Sequence, residues 1–290
     1  MNKPYAEVIG DPIGHSKSPL IHNFWLAKLG IDAEYRACHV RPEELADYFE
    51  RRRDDAAWRG CNVTVPHKEL AALRVNALLP GYLDIGAINV VVPRTDNLTG
   101  SRVLLGANTD IDGVAGVINE YHGQMMNFGV DTNRKFNVGI IGAGGAAKAA
   151  SAVASMLPWI GELRIAVRRP GAGRAMLDQL NIAGKEIGIT DRDLASLDIL
   201  INASTMGMGD TGDSTLTLAG LGAGDVKPLV FDMVYHPLQT GLLRAAKQRD
   251  HNCANGLQML IIQARTAFEH FFGRPAPREH DAELRGLLTS

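Results

Sequence analysis

Short apolar runs alternate with segments of helical period along the whole chain. Residues 5–9, which are apolar except for Glu7, predict a first strand, ended by Gly10-Asp11-Pro12. Ser18-Pro19 then opens a segment whose apolar residues recur at helical spacing as far as Gly30. Because serine before proline is typical of a helix start, we expect Ser18 to cap this helix. The alternation of strands and helices predicts an α/β fold with parallel sheets.

The first third of the chain continues in the same pattern. Residues 60–65 alternate apolar and polar side chains, which predicts a half-buried strand with Asn62 and Thr64 on one face. Pro66 ends that strand. The other predicted elements here are helices at 43–53 and 67–73 and a hairpin of strands 87–93 and 102–107.

A second series of elements begins near residue 110. The predicted order is helix 112–121, a polar stretch 123–137, strand 138–141, helix 145–156, strand 163–167, helix 173–180, a short strand near 187, helix 191–197, strands 198–203 and 229–233, and helix from 238 to about 272 with an interruption at 252–256. We expect two domains, 1–109 with 255–290 and 110–254, with the C-terminal helices returning to the first.

Composition and charge narrow the class of protein. At 290 residues, with 46% hydrophobic and 21% charged residues, the chain is long enough for about two domains of a typical soluble protein. A net charge of −2 gives no field for a polyanion, and the basic run Arg51-Arg52-Arg53 is followed at once by Asp54 and Asp55. We therefore expect no nucleic-acid partner.

The spacing of the cysteines, histidines and apolar residues bears on the cellular compartment, on metal binding and on membrane contact. The three cysteines are scattered and in no CxxC spacing, which favours a reducing compartment. No two of the nine histidines stand in HxH or HxxxH spacing, so we expect no metal site. The chain contains no run of 18 apolar residues and no apolar core of a signal peptide at its start. These patterns predict a cytoplasmic protein without membrane contact.

A glycine-rich turn follows the predicted strand 138–141. The sequence Gly142-Ala143-Gly144-Gly145-Ala146-Ala147 fits G-x-G-x-x-A at the start of a predicted helix. In such a loop Gly142 allows the tight turn, Gly144 lets backbone N–H groups approach a pyrophosphate, and Ala147 permits close packing of helix on strand. The flanking strands and helix favour a Rossmann-type dinucleotide site over an ordinary glycine turn.

The end of the next predicted strand bears on the choice of cofactor. Sites that prefer NAD have an acidic residue about 20 residues beyond the glycine loop, for the ribose 2′-hydroxyl. Here the strand 163–167 ends in Arg168-Arg169, and Arg174 follows. Guanidinium groups suit a 2′-phosphate, so we predict NADP(H), the alternative being a solvated strand end.

Several polar motifs occur in the order seen in shikimate dehydrogenases, and the chain resembles that family from about residue 5 to residue 265. Besides the glycine loop, these motifs are Gly14-His15-Ser16-Lys17-Ser18-Pro19, Asn62-Val63-Thr64-Val65-Pro66-His67-Lys68, Gly86-Ala87-Ile88-Asn89, Asn108-Thr109-Asp110, Asn202-Ala203-Ser204-Thr205, Asp232-Met233-Val234-Tyr235 and Asn255-Gly256-Leu257-Gln258-Met259-Leu260. The resemblance implies an N-terminal α/β substrate domain, a Rossmann-type NADP domain, and reduction of 3-dehydroshikimate to shikimate with NADPH.

The resemblance makes Lys68 and Asp110 the candidate catalytic residues. Reduction of a ketone by hydride leaves an alkoxide, and a lysine within reach can give it a proton and take it back on reversal. Asp110 would orient the amine and share the substrate hydroxyl. Without the resemblance, Lys68 would be interpreted as a surface lysine and Asp110 as a helix N-cap.

The resemblance also assigns binding roles. The substrate carboxylate would be bound by Ser16, Ser18 and Tyr235, with Ser18 equally compatible with a helix cap. The ring hydroxyls and remaining polar groups would be bound by Asn62, Thr64, Asn89 and Gln263. On the cofactor side it adds Thr205, Met233 and Gly256, although Met233 alone would be interpreted as core.

Two departures from the family pattern leave alternatives open. Ile111-Asp112 stand between Asp110 and Gly113, where the family continues directly with glycine, and Pro170 stands where the family often has threonine. The runner-up functions are a quinate/shikimate dehydrogenase that uses NAD and a dinucleotide-binding regulator without turnover. The sequence also leaves a homodimer open.

Overall fold

The computed structural model describes residues 3–131, 133–209, 214–222 and 226–289. The chain divides into two units, Met1–Thr109 with Gln263–Ser290, and Asp110–Ile262. Among the described residues, none of the helices combines the length and the hydropathy that a membrane span requires.

The first unit is built on a mixed sheet, which in the described residues has the order β2-β1-β3-β5-β6-β4. The strands are β1 (Tyr5–Gly10), β2 (Glu34–His39), β3 (Trp58–Val63), β4 (Ala77–Leu78), β5 (Val90–Thr95) and β6 (Arg102–Ala107). The pairs β1–β2, β1–β3 and β4–β6 are parallel, whereas β3–β5 and β5–β6 are antiparallel. The predicted hairpin is therefore confirmed. The expectation of parallel sheets is wrong for this unit, because a connection as short as 96–101 can join only antiparallel strands.

Helices cover both faces of this sheet. They are α1 (Ser18–Lys28), α2 (Leu45–Arg53), α3 (Lys68–Ala72) and α9 (Asp281–Thr289), with the end of α8 (Gly256–Phe272), whose first residues belong to the second unit. One face shares a buried core with α2 and α3, and this core includes Val63, Phe49 and Ala71. On the other face, the rings of Trp25 of α1 and Phe268 of α8 pack edge to face with their centroids 5.5 Å apart.

The predicted strand 60–65 differs from the observed one in extent and in pattern. Strand β3 ends at Val63, and Cys61, Asn62 and Val63 are all buried, while Val65 is 59% exposed. The strand lies between β1 and β5 with helices on both faces, so both of its sides are covered and the half-buried alternation is lost. Thr64 consequently lies in the turn beyond the strand and does not share a strand face with Asn62.

Strand β2 was not predicted. Its sequence, Glu34–His39, buries only Tyr35 fully and lies at the edge of the sheet. An edge strand with one strongly buried side chain has no apolar periodicity, so the pattern of the sequence could not reveal it.

The second unit contains an all-parallel sheet with the order β12-β11-β10-β7-β8-β9 in the described residues. The strands are β7 (Phe136–Ile141), β8 (Ile160–Ala166), β9 (Lys185–Ile187), β10 (Ile199–Asn202), β11 (Leu229–Asp232) and β12 (Asn252–Asn255). Numbered within the unit this order is 6-5-4-1-2-3, that of a Rossmann sheet. The predicted α/β class and Rossmann-type domain are confirmed.

Helices flank this sheet on both faces. They are α4 (Asp110–Asn127), α5 (Gly145–Met156), α6 (Ala172–Leu180), α7 (Gly241–Gln248) and the first part of α8. Successive residues of one strand enter different cores. Ile199 and Ile201 of β10 pack with residues of α4 and α5, and Leu200 packs with residues of α7. This alternation of apolar residues into two cores explains why the strands are continuous apolar runs in the sequence.

The structure corrects the prediction in three places of this unit. Residues 191–197 form turns and no helix, since Ser196 has a left-handed φ of 64° and its N–H donates to Gly220 at 3.0 Å. The interruption at 252–256 is strand β12, which pairs with β11. Helix α4 continues to Asn127, into the stretch expected to be an irregular polar connection.

Candidate active site

Most of the predicted substrate residues lie at one edge of the first sheet. Strands β1, β3 and β6 run in the same direction, and their carboxyl ends lead to the segments that contain Ser16, Lys68 and Thr109. Asn89 immediately precedes β5, which runs in the opposite direction, so it belongs to the same edge. Ligands of α/β proteins commonly bind at this edge.

The two serines after β1 occupy the start of α1. The Ser16 hydroxyl accepts a hydrogen bond from the Ser18 N–H at 3.3 Å, and Lys17 is the N-cap residue. Helix α1 begins at Ser18 itself, so the expectation that Ser18 caps the helix is wrong. A side chain inside the first turn cannot take the N-cap position, and here Ser16 satisfies an N–H at the helix start. The Ser18 side chain is buried.

Asn89, Thr109 and Gln263 form one buried polar cluster. The Asn89 side-chain oxygen accepts from the Thr109 N–H at 2.7 Å, and its nitrogen donates to Gln263 Oε1 at 3.3 Å. The Thr109 hydroxyl lies 3.2 Å from the same Gln263 oxygen. Hydrogen bonds between three segments that are far apart in the chain thus hold the side-chain amides of Asn89 and Gln263 in place. The two residues lie side by side, as is expected if both bind ring hydroxyls.

Asn62 lies next to this cluster, on β3. Its side-chain nitrogen donates to the Asn89 carbonyl at 3.2 Å, and its oxygen accepts from the Tyr35 hydroxyl at 2.6 Å. Sequence reasoning did not single out Tyr35 or Thr109. Thr109 belongs to a quoted motif and could have been found from it, whereas no signal in the sequence marked Tyr35.

Three tertiary contacts hold the turn that leads to Lys68. Lys68 is the first residue of α3 and half-buried, and its carbonyl accepts from the Ile88 N–H at 3.0 Å. The preceding residue, His67, is fully buried with Nε2 2.6 Å from the Val40 carbonyl oxygen. The Thr64 N–H donates a hydrogen bond to the Ile9 carbonyl oxygen at 2.9 Å. The turn between β3 and α3 is therefore fixed as far as the candidate lysine.

The glycine loop of the second unit leaves β7 in the expected geometry. Gly142 has a φ of 114°, and a Cβ there would lie 3.2 Å from the Ala203 carbonyl oxygen, so a side chain would be strained and crowded. Gly144 is the exposed N-cap of α5, and a Cβ built on it would meet nothing within 4 Å. Backbone N–H groups at an open helix start suit a pyrophosphate. Ala143, Gly145 and Ala146 complete the loop and are half-buried.

The three candidate arginines at the end of β8 differ in their surroundings. Arg168 and Arg169 are exposed, and the structure assigns neither guanidinium a hydrogen bond or ion pair within the described residues. Arg174 instead pairs with Asp178, one turn along α6, at 2.5 Å. The first two are thus the better placed of the three to pair with a phosphate, because the charge of Arg174 already has a partner.

A buried network joins the ends of β10 and β11. The Asn202 side chain donates to Asp232 Oδ1 at 2.9 Å, and the Thr240 hydroxyl donates to Asp232 Oδ2 at 2.6 Å. Burial raises the pKa of Asp232, against the effect of these hydrogen bonds. Asn202 also accepts from the Ser204 hydroxyl at 2.7 Å. The network fixes the loop that contains the exposed Thr205.

Met233, Tyr235 and Gly256 follow the ends of β11 and β12. The Gly256 N–H donates to Val234 at 3.2 Å, and a Cβ at Gly256 would lie 2.1 Å from the Met233 carbonyl oxygen. Only glycine allows this approach of the two backbones. Met233 is half-buried against the core of the unit, and burial raises the pKa of Tyr235. Asp110 is the buried first residue of α4, followed by the half-buried Ile111 and Asp112.

Comparison with known proteins finds the same family along the whole chain. Residues 8–91 match the family model "Shikimate dehydrogenase substrate binding domain". The chain is 40% identical over 99% of its length to the shikimate dehydrogenase (NADP(+)) of Sphingopyxis alaskensis, 97% of which is covered. The crystal structure of shikimate 5-dehydrogenase from Thermus thermophilus in complex with NADP(H) and shikimate is similar with a TM-score of 0.76 and 28% identity, covering 98% of this chain and 99% of that one. That of Listeria monocytogenes shikimate 5-dehydrogenase in complex with shikimate and NAD has a TM-score of 0.76 and 29% identity, covering 98% and 96%.

Proposed function

The chain belongs to the shikimate dehydrogenase family, and from that membership we infer that it interconverts 3-dehydroshikimate and shikimate with NADP(H). The observation that carries this conclusion is the 40% identity, over 99% of the chain, to an enzyme named for NADP. The protein is therefore an oxidoreductase of a CH–OH group in the shikimate pathway of aromatic amino-acid biosynthesis.

Lys68 is the proposed general acid and base. Reduction of the ketone leaves an alkoxide, to which the Lys68 ammonium gives a proton; in the direction of oxidation the amine accepts the hydroxyl proton. Asp110 is proposed to orient the amine. What supports the role of Lys68 is its place after β3, in a turn held by the His67–Val40 and Lys68–Ile88 hydrogen bonds.

Neutral hydroxyls and amides are proposed to bind the substrate ring. Ser16, Ser18 and Tyr235 are assigned to its carboxylate, and Asn62, Thr64, Asn89 and Gln263 to its hydroxyl groups. The buried Asn89–Gln263 contact supports this assignment, because it holds the two amides in fixed positions. A ligand that lacks a hydroxyl would leave buried polar groups unpaired, which gives specificity.

The residues of the second unit fit NADP(H). The loop Gly142-Ala143-Gly144-Gly145-Ala146 would hold the pyrophosphate, and Arg168 and Arg169, with a smaller part for Arg174, the 2′-phosphate. Thr205, Met233 and Gly256 are proposed to line the rest of the cofactor site. When bound, NADPH supplies the hydride for reduction of the substrate carbonyl. The positive φ of Gly142 and the open Gly144 support the placement of the phosphates.

Two further proposals concern the state of the protein. We place the enzyme in the cytoplasm, which is supported by the three free thiols of Cys38, Cys61 and Cys253. We also propose a homodimer, which light scattering of the purified protein tests directly. A scattering mass close to one chain of 31.3 kDa contradicts the dimer.

Turnover of four substrate and cofactor pairs tests the function. Shikimate or quinate is mixed with NADP or NAD, and the absorbance of the reduced nicotinamide is followed. We expect the largest kcat/KM with shikimate and NADP. Turnover confined to quinate with NAD would establish the runner-up dehydrogenase, and binding of dinucleotide without any turnover would establish the regulator.

A further inference from the structure

Tyr35 connects the edge of the first sheet to its centre. The residue is on β2, pairs with Ala6 of β1, and is 2% exposed. Its hydroxyl reaches past β1 to donate to Asn62 on β3 at 2.6 Å. Both side chains are buried, so the bond is shielded from water and from competing partners.

The Asn62 amide has one orientation in this environment. Its nitrogen faces the Asn89 carbonyl, which is an acceptor only and which also accepts from the Val63 N–H at 2.8 Å. Rotating the amide by half a turn would place its oxygen against that carbonyl, oxygen to oxygen. The Asn62 oxygen must therefore face Tyr35, and the single proton of the Tyr35 hydroxyl is used for this bond.

The protonation state of Tyr35 fits the direction of this bond. Burial raises the pKa of Tyr35 well above its usual value. The phenol is therefore neutral and can donate.

Contacts with α1 hold both the ring and the backbone of Tyr35. The ring stacks on His22 with the centroids 4.0 Å apart and the planes 5° from parallel. The Asn23 side chain donates to the Tyr35 carbonyl at 2.7 Å and accepts from its N–H at 2.9 Å. Both partners belong to α1, the helix that begins with Ser18. The hydroxyl is consequently fixed relative to the serines as well as to Asn62.

We propose that Tyr35 is a positioning residue of the substrate site, whose hydroxyl holds the Asn62 amide with its nitrogen directed toward acceptor oxygens. This inference rests on the proposed function, because Asn62 is assigned to the substrate there. It deepens that function by making Asn62 a hydrogen-bond donor to the oxygen of a ring hydroxyl. It also extends the site to a strand that contributes none of the assigned residues.

Steady-state kinetics of Tyr35→Phe test the proposal. The variant keeps the ring that stacks on His22 and removes only the hydroxyl. We expect the KM for shikimate to rise about tenfold, the effect of one ordinary hydrogen bond, while the KM for NADP and kcat change less than threefold. The matched control is Tyr5→Phe, which loses a hydroxyl bonded to Asp55 at 2.6 Å in the same unit and should leave all constants within twofold.

A double-mutant cycle separates positioning from loss of stability. A merely less stable protein has a smaller active fraction, so its apparent kcat falls without a change in KM. In the background of Asn62→Ala, Tyr35→Phe should raise the shikimate KM no further. An unchanged shikimate KM in Tyr35→Phe, or full additivity of the two substitutions, overturns the proposal while wild-type turnover leaves the function standing. Absence of wild-type turnover rejects the function and the positioning role with it.

Discussion

The buried His22 predicts a specific loss of stability at mildly acidic pH. Its ring is fully buried between Tyr35, Trp25 and Phe268, and neither ring nitrogen has a hydrogen-bond partner within the described residues. Burial lowers the pKa of His22 from 6.5 to about 3. The native state therefore keeps this imidazole neutral at pH values where an unfolded chain would protonate it.

The magnitude follows from the two pKa values. Between pH 6.5 and 3 the unfolded state binds a proton that the native state does not, so stability is complete above this range and falls as the pH decreases. A full pKa unit corresponds to about 1.4 kcal/mol. From pH 7.5 to 5.5 the unfolded group goes from mostly neutral to mostly charged, and His22 costs the protein about 1.4 kcal/mol of unfolding free energy.

Urea unfolding followed by tryptophan fluorescence measures this loss. Trp25 and Trp58 belong to the first unit and Trp159 to the second, so a Trp159→Phe background reports on the unit that contains His22. We compare this parent with His22→Phe, which keeps a ring against Tyr35, at both pH values. The control is His236→Gln, which changes an exposed histidine of the second unit.

We expect the unfolding free energy of the parent and of the control to fall by about 1.4 kcal/mol more than that of His22→Phe between pH 7.5 and 5.5. The other groups that titrate in this range are shared by the parent and His22→Phe and cancel in that comparison. The same pH dependence in His22→Phe and in the parent would show that His22 is not held neutral, and the burial argument would be refuted.

Two further predictions concern the cofactor. Replacing Arg168 and Arg169 together by alanine should raise the KM for NADP at least about tenfold and leave the KM for NAD unchanged. Because the charge of Arg174 is already paired with Asp178, Arg174→Ala should raise the KM for NADP less. Equal effects on the KM values for both cofactors would contradict the assigned phosphate site. Gly256→Ala should lower kcat/KM for NADP at least about tenfold, because the added Cβ would lie 2.1 Å from the Met233 carbonyl oxygen. The control is Gly286→Ala, whose added Cβ meets no atom within 4 Å. Unchanged kinetics of Gly256→Ala with a native circular dichroism spectrum would show that the backbone can move aside without affecting the cofactor.

The parts of the fold that the sequence predicted are those set by local pattern. Helix α5 was predicted with its observed bounds, because Gly142 and Gly144 mark the turn and the following apolar residues have helical period. The alternation of Ile199, Leu200 and Ile201 belongs to a strand buried on both faces, and such a run can be recognised without tertiary information.

The parts of the fold and of the site that the sequence does not predict depend on tertiary contacts. Residues 191–197 have helical spacing, yet Leu194 and Leu197 enter the core from turns, where Ser196 takes a left-handed φ. Strand β2 has one fully buried side chain, and the hydrogen bond of Tyr35 to Asn62 crosses the neighbouring strand. The Asn89–Gln263 contact joins residues 174 positions apart, a separation at which no pattern in a single sequence indicates proximity.

The catalytic constant of Lys68→Ala with shikimate and NADP tests the central claim most directly. The control is Lys28→Ala, which removes a lysine paired with Glu283 at 2.7 Å in the same unit. If Lys68 moves the proton of the substrate hydroxyl, kcat falls by about 10²-fold or more in Lys68→Ala, the dissociation constant for shikimate changes little, and Lys28→Ala matches the wild type. A kcat of Lys68→Ala within about threefold of the wild type would show that another group moves the proton, and the proposed chemistry of this family member would be wrong.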